Sequence, residues 1–197
     1  MRFGNKPHRL GINLDQPVKK ATVVITIKPV ELTKDLPGFY HEPDEKAFGP
    51  QLDKAITVEA EAFSKQENGE VNVEPKVGAS EKAFKNWDTV GHRLTWTFDV
   101  AVGGRYAVLV RSCNAFPDGV ARNAFIDGKP LNDKDNPFLF PGTGGWSGTT
   151  DQWRNVWMAD NGKALILELQ SGKHELMMEN VDGRGLNLDW LKLVPVK

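Results

Sequence analysis

The sequence predicts an all-β protein built as a β-sandwich or jelly roll, and three observations carry that expectation. Apolar and polar residues alternate with period two through most of the chain beyond residue 55, the pattern of half-buried strands. The alternating runs are short, and turn-forming clusters separate them: NDKDNP, PGTGGWSG, DNGK, SGK and DGRG. Almost no stretch shows a helical stripe. Many short strands at this spacing fit two packed antiparallel sheets.

Along the chain, HRLGINL and ATVVITI read as two strands, followed by the proline- and charge-rich PVELTKDLPGFYHEPDEKAFGPQ, which reads as a connector. Residues 1–52 are therefore an N-terminal β extension, the tail of a preceding domain or an added hairpin, and residues 53–197 form the sandwich. ITVEAEAF (56–63) opens it. In HRLTWTFDV (92–100), Leu94, Trp96, Phe98 and Val100 share one face. GGRYAVLVR (103–111) follows a glycine turn with Tyr106, Val108 and Val110 on a common face, and the two runs read as a hairpin. ARNAFIDG, WRNVWMA, KALILEL, KHELMMEN and LNLDWLKL complete the strand set, with Trp96 and Trp190 assigned to the core.

Composition removes several functions. The chain of 197 residues is 40% hydrophobic and 26% charged with a formal net charge of -1, so nothing in its charge points to nucleic acid or an anionic membrane. Cys113 is the single cysteine, which excludes an intrachain disulfide and a thiolate metal cluster; it reads as a semi-buried structural thiol. No apolar run approaches the roughly 20 residues of a membrane span. The polar start MRFGNKPHRL is not a secretory signal, so the chain either stays inside the cell or is part of a longer secreted protein. His8, His41, His92 and His174 share no metal or triad spacing, and no G-x-S-x-G, P-loop or H-E-x-x-H occurs.

Two features carry chemistry. Asp189 stands inside the leucine-rich LNLDWLKL, where an unpaired charge costs several kcal/mol, so it calls for a partner. Glu59 and Glu61 are two residues apart; on a strand they point to one side with side chains about 7 Å apart, and they repel unless a cation lies between them. Hard oxygen ligands suit Ca²⁺. Exposed pairing with lysines is the other reading of the two glutamates. As a glycosidase acid and nucleophile the pair is poorly placed, because retaining carboxylates face each other about 5 to 5.5 Å apart across a cleft.

The segments VEAEAF, NWDTVGHRLTWTFDV, GGRYAVLVR, FIDG, TGGW, SGKHEL and NLDWLKL occur in the order and approximate spacing of the carbohydrate-binding modules of families 6 and 35. Over roughly residues 55–197 the chain resembles such a module. The resemblance implies a galactose-binding-domain-like jelly roll without catalytic function, joined in one longer chain to the catalytic domain of an extracellular or periplasmic polysaccharide-degrading enzyme. It also implies a structural Ca²⁺ held by Glu59, Glu61 and Asp189, with backbone carbonyls from KVGASEKAF completing the shell.

A sugar offers an apolar C–H face and a rim of hydroxyls, so its site needs an aromatic platform and fixed polar groups. Of the six tryptophans, Trp87 in KNWDTVGH and Trp146 in PGTGGWSG are flanked by turn residues and are the stacking candidates. His92 stands beside the Trp87 loop. By resemblance, Trp87, Trp146 and Asn187 match the positions that line the family's main site. Trp153 and Trp157 fall on one strand face as packing residues, leaving Arg154 on the other to pair with an acidic sugar such as a uronate. The long NDKDNPFLFPGTGGWSGTTDQ region departs from the family pattern and bears on where the site lies. The rival function is a structural sandwich that holds a neighbouring domain and binds no sugar.

Overall fold

A computed structural model describes residues 48–160 and 162–197. The two strands expected within residues 1–52 lie outside the described residues. The strands in chain order are β1 (Ile56–Glu59), β2 (Lys65–Glu67), β3 (Asn72–Glu74), β4 (Ala83–Lys85), β5 (Arg93–Val100), β6 (Gly104–Cys113), β7 (Val120–Ile126), β8 (Lys129–Pro130), β9 (Phe138–Phe140), β10 (Arg154–Trp157), β11 (Ala159–Asp160), β12 (Lys163–Ala164), β13 (Ile166–Leu169), β14 (Gly172–Asn180) and β15 (Asn187–Pro195). They form a seven-stranded and a six-stranded antiparallel sheet, with β11 and β12 paired separately. No helix among the described residues is long and apolar enough to cross a membrane.

The larger sheet runs β10-β6-β15-β4-β3, with β13 also on β6 and β1 on β15. The smaller runs β2-β5-β14-β7-β8, with β9 also on β7. The first and last strands of the sandwich are neighbours: Glu59 of β1 stands opposite Trp190 of β15. Between the sheets lie Leu94, Trp96, Phe98 and Val100 of β5, Tyr106, Val108 and Val110 of β6, and Leu188, Leu191 and Leu193 of β15, in one apolar core. Each large aliphatic or aromatic side chain so buried is worth roughly 1.5–3 kcal/mol.

Two expectations are corrected here. β5 and β6 do not pair as a hairpin; they lie in opposite sheets. Both point their alternating apolar faces into the same layer, and alternation alone does not separate strands that pair from strands that face each other across a core. The chain crosses over at Ala101–Gly103, where the Tyr106 hydroxyl donates to the Val102 carbonyl at 2.6 Å. The second concerns Trp190, which is buried but sits outside the sandwich core. It joins Ala107, Leu109, Trp157, Val194 and Val196 on the other face of the larger sheet, beneath Phe48 and Ala55.

The two tryptophans expected in loops part company. Asn86 takes a left-handed backbone (φ 66°), and Trp87 turns inward until none of it is exposed. It meets Phe84 at 5.9 Å and Trp96 at 6.4 Å between ring centroids, both edge to face, and its Nε1–H donates to the His92 carbonyl. Arg122, fully buried, lays its guanidinium 4.4 Å from the Trp87 ring centre. The same guanidinium donates to the carbonyls of Ala121, Trp87 and Arg184 and to the carboxylate of Asp182, tying the Trp87 loop to the loop before β15. Burial lowers the Arg122 pKa to about 10, with Asp182 working in the opposite direction. Asn180 adds a second clamp, donating to the carbonyls of Trp87 and Arg184.

His92 packs edge to face against Trp87, 6.4 Å between ring centres, with neither ring nitrogen hydrogen-bonded and no exposed surface. Gly69 lies over the imidazole, where a Cβ would fall 2.3 Å from Nδ1. Burial, reinforced by the Arg122 charge, pushes the His92 pKa below its ordinary value. His174 is shifted the other way: its hydrogen bond to Asp127, at 2.7 Å, raises its pKa.

Two outcomes follow from these clusters. Replacing Arg122 by Met should cost on the order of 3 kcal/mol in denaturant unfolding, since it strips partners from Asp182 and from two loop carbonyls at once. Because the folded state favours neutral His92, the His92 contribution to stability should be complete above the unfolded-state pKa of about 6.5 and be lost as the pH drops below it. The gain from protonated His174 is already complete below that value and adds no slope there. A pH series of melting curves on His92→Phe should therefore be flatter between about pH 6.5 and 5 than that of the parent; equal slopes would discount His92.

Candidate functional site: a loop cleft over Trp146

A cleft of about 520 Å³ opens where the loops after β3, β4, β6, β9 and β14 meet the start of β15. That volume falls within the usual range for small-ligand sites. Trp146 and Phe116 supply its apolar surface; Asn86, Asp88, Asn187 and a Glu74–Lys76–Lys85 group supply polar walls, and Gly183 and Gly185 complete the lining.

The long segment between β9 and β10 presents Trp146 through a dense set of local bonds. Asn114, at the end of β6, accepts on its backbone carbonyl from the amides of Thr143 and Gly145 and donates its side-chain amide to the Pro141 carbonyl. Ser147, at a positive φ of 51°, exchanges hydrogen bonds with Gln152: its amide donates to Oε1 at 3.1 Å, and the Gln152 amide donates to its Oγ at 2.9 Å. Gly145 has no room for a Cβ, which would fall 2.1 Å from Gln152 Oε1. Held this way, the Trp146 ring lies against Gly185 on one side and meets Phe116 edge to face at 5.7 Å, with 37% of the residue exposed. A fixed, part-exposed indole is what a stacking platform requires.

Asn187 anchors the floor. It is only 2% exposed, and its Nδ2 donates to the Trp146 carbonyl at 3.2 Å and lies 3.8 Å from the Cys113 sulfur. Two amide hydrogens serve those contacts, which leaves Oδ1 as the group's remaining polar atom. Cys113 is fully buried, and burial raises its thiol pKa, as suits a structural residue. On the opposite wall Glu74 lies between two ammonium groups, Lys85 at 2.6 Å and Lys76 at 3.1 Å, which hold its carboxyl below the usual range. The Lys76 side chain is 5% exposed and fixed by that pairing.

Of the five residues expected to bind ligand, the fold gathers Trp146 and Asn187 in the cleft and separates the other three from it. Trp87 is corrected from exposed platform to core residue: the apolar pocket formed by Phe84, Trp96 and the Arg122 guanidinium outcompetes solvent for a ring of that size. His92 is buried behind Trp87 and does not line the cleft. Arg154 is exposed on β10 opposite Ser112, and it too stands apart from the cleft lining. Trp153 and Trp157 are buried as expected, though in different clusters. Phe116 was missed, although an aromatic residue in the turn-rich CNAFPDG offered the same signal as Trp146. Nothing in the spacing of Glu74, Lys76 and Lys85 announces their grouping, which needs the β3–β4 pairing.

The carboxylates lie elsewhere, outside the cleft lining. Glu59 ends β1, and Glu61 stands in a 3-10 turn over Ala60–Ala62, so the two do not alternate along one strand as expected. Glu59 Oε2 accepts from the Ser80 hydroxyl at 2.7 Å, and Glu61 Oε1 accepts from the Lys82 amide at 3.1 Å. Burial holds the Glu61 carboxyl above its ordinary range, backbone hydrogen bonds oppose that shift, and the charges of Glu59 and Glu81 add to it. Glu61 Oε2 is buried without a hydrogen-bond partner. Asp189 instead faces Ser80 and Arg111. Among the described residues, no group of three or more His, Cys, Asp or Glu is placed to hold a metal ion. Arg111 is the cation beside Asp189, its Nε 3.0 Å from Oδ2.

No protein-family model and no curated protein sequence matches the chain. Solved structures do match it by fold. A family 35 carbohydrate-binding module from Clostridium thermocellum superposes with a TM-score of 0.57 at 18% identity, covering 71% of this chain and 97% of that one. The C-terminal family 6 module of LamC from Zobellia galactanivorans gives 0.52 at 17% identity over 72% of this chain and 99% of that one. The GH26-CBM35 β-(1,4)-mannanase of Podospora anserina gives 0.53 at 18% identity, with 73% of this chain on 28% of that one. The chain thus has the β-sandwich fold of the family 35 and family 6 carbohydrate-binding modules.

Proposed function

We propose that residues 53–197 form a non-catalytic carbohydrate-binding module whose ligand is an oligo- or polysaccharide seated over Trp146. The observation that carries this reading is the Trp146 indole, part exposed in a 520 Å³ cleft and backed by the buried Asn187 amide. A pyranose C–H face stacks on the indole, Phe116 closes one side, and Asn187 Oδ1 with Asp88 and Lys85 at the rim takes up hydroxyl groups.

In this reading the module is joined in a longer chain to a polysaccharide-active enzyme and works outside the cytoplasm. Support comes from the mannanase above, in which the same fold occupies a minor share of the chain. The rival reading, a structural sandwich that holds a neighbouring domain, predicts a cleft without affinity for glycans.

Isothermal titration or affinity electrophoresis against a panel of soluble plant, algal and microbial polysaccharides separates the two. Binding to at least one glycan should weaken on the order of thirtyfold or more in Trp146→Ala, a loss of about 2 kcal/mol, with the melting temperature kept. Asn187→Ala should weaken it as well. Retained affinity in both variants would move the site, and no binding across the panel would favour the structural role.

A further inference from the structure

Asp189 sits with no exposed surface at the irregular point of the β15–β6 ladder. Leu188 faces Ser112 and Trp190 faces Arg111, which leaves Asp189 as the extra residue of a bulge, its carboxylate aimed at what lies beside the strand. A buried carboxylate persists only with hydrogen bonds and a positive partner. Oδ1 takes the hydrogen bonds: the Ser80 amide donates to it at 2.9 Å, and the Ser80 hydroxyl lies at the same distance. Oδ2 takes the charge as an ion pair 3.0 Å from Arg111 Nε, although neither atom makes a hydrogen bond.

Arg111 is committed to this corner on every side. Its Nη2 donates to the Gly78 carbonyl at 2.9 Å and lies 3.6 Å from Asp151 Oδ2, and its side chain is three-quarters buried, at 25% exposure. A carboxylate and a backbone carbonyl from the 76–84 segment are the donor types that a hard divalent cation would claim. Here a planar guanidinium faces both, hydrogen-bonded to the Gly78 carbonyl and ion-paired with the carboxylate.

We propose that Arg111 is the resident cation of this corner, replacing a divalent metal, so that the Gly78–Ser80 loop, β6 and β15 are joined by a guanidinium that the chain itself encodes. The inference stands apart from the sugar site, since none of these residues lines the cleft.

The test uses the full chain, stripped of metal with EDTA and dialysed, and follows the melting temperature with and without calcium chloride. It should be the same in both. Arg111→Met should lower it by about 6 °C or more, and Arg111→Lys should restore only part of the loss, because an ammonium keeps the charge without the planar guanidinium. Glu61→Gln, which keeps the acceptor for Lys82 and removes a charge, should melt as the parent does. In a cycle of Arg111→Met with Asp189→Asn, the double variant should be more stable than the sum of the two single losses implies. The proposal fails if calcium raises the melting temperature of the stripped protein and Asp189→Asn or Glu61→Gln abolishes that response. It fails equally if Arg111→Met melts as the parent does.

Discussion

Between Leu188 and Trp190 the last strand carries one residue more than its partner, and the rest of the sandwich depends on that shift. Leu186 and Leu188 point into the core before it, and Leu191 and Leu193 do so after it, although the two pairs are out of phase by one residue. Uninterrupted alternation would have sent either the first pair or the second to the wrong face. The bulge lets β15 serve the core along its full length while Trp190, Val194 and Val196 cover the other face. It also lets neighbouring polar residues serve different partners: Asn187 holds the Trp146 carbonyl, and Asp189 meets Arg111.

The molecule handles its interior charges with guanidinium groups. Arg122 is wholly buried and satisfies three carbonyls and a carboxylate while covering the Trp87 ring; Arg111 bridges Asp189 and the Gly78 carbonyl. In both cases several loops end on one side chain. Arg122 shapes the cleft from beneath, since the loop carrying Asp88 and the loop carrying Gly183 and Gly185 are bound together through it and Asn180. A rigid cleft loses less entropy when a ligand settles in it, which suits a site built around one exposed indole.

The strands were largely legible because their apolar faces repeat every two residues, as in β5 and β14, and because turn clusters bound them. Pairing was less so: β5 and β6 look like a hairpin in one dimension and lie across the core from each other in three. Within the site, Trp146 and Asn187 were readable from turn context and family pattern. Trp87 had the same turn context as Trp146 and the opposite fate, because a left-handed Asn86 and the Arg122 guanidinium draw it inward.

By itself the sequence determined what is local and periodic: an all-β chain, short strands, a core built from alternating leucine, valine and aromatic residues, and a carboxylate at Asp189 that demanded a partner. Tertiary structure alone decided which partner that was. Arg111 lies far from Asp189 in sequence and meets it because β6 and β15 are adjacent with a bulge between them. The same holds for the cleft, whose lining comes from five loops and the ends of the strands beside them. The reason in each case is physical: propensity and alternation act over a few residues, whereas ion pairs and stacking surfaces are set by which distant segments close packing brings within a few ångströms of one another.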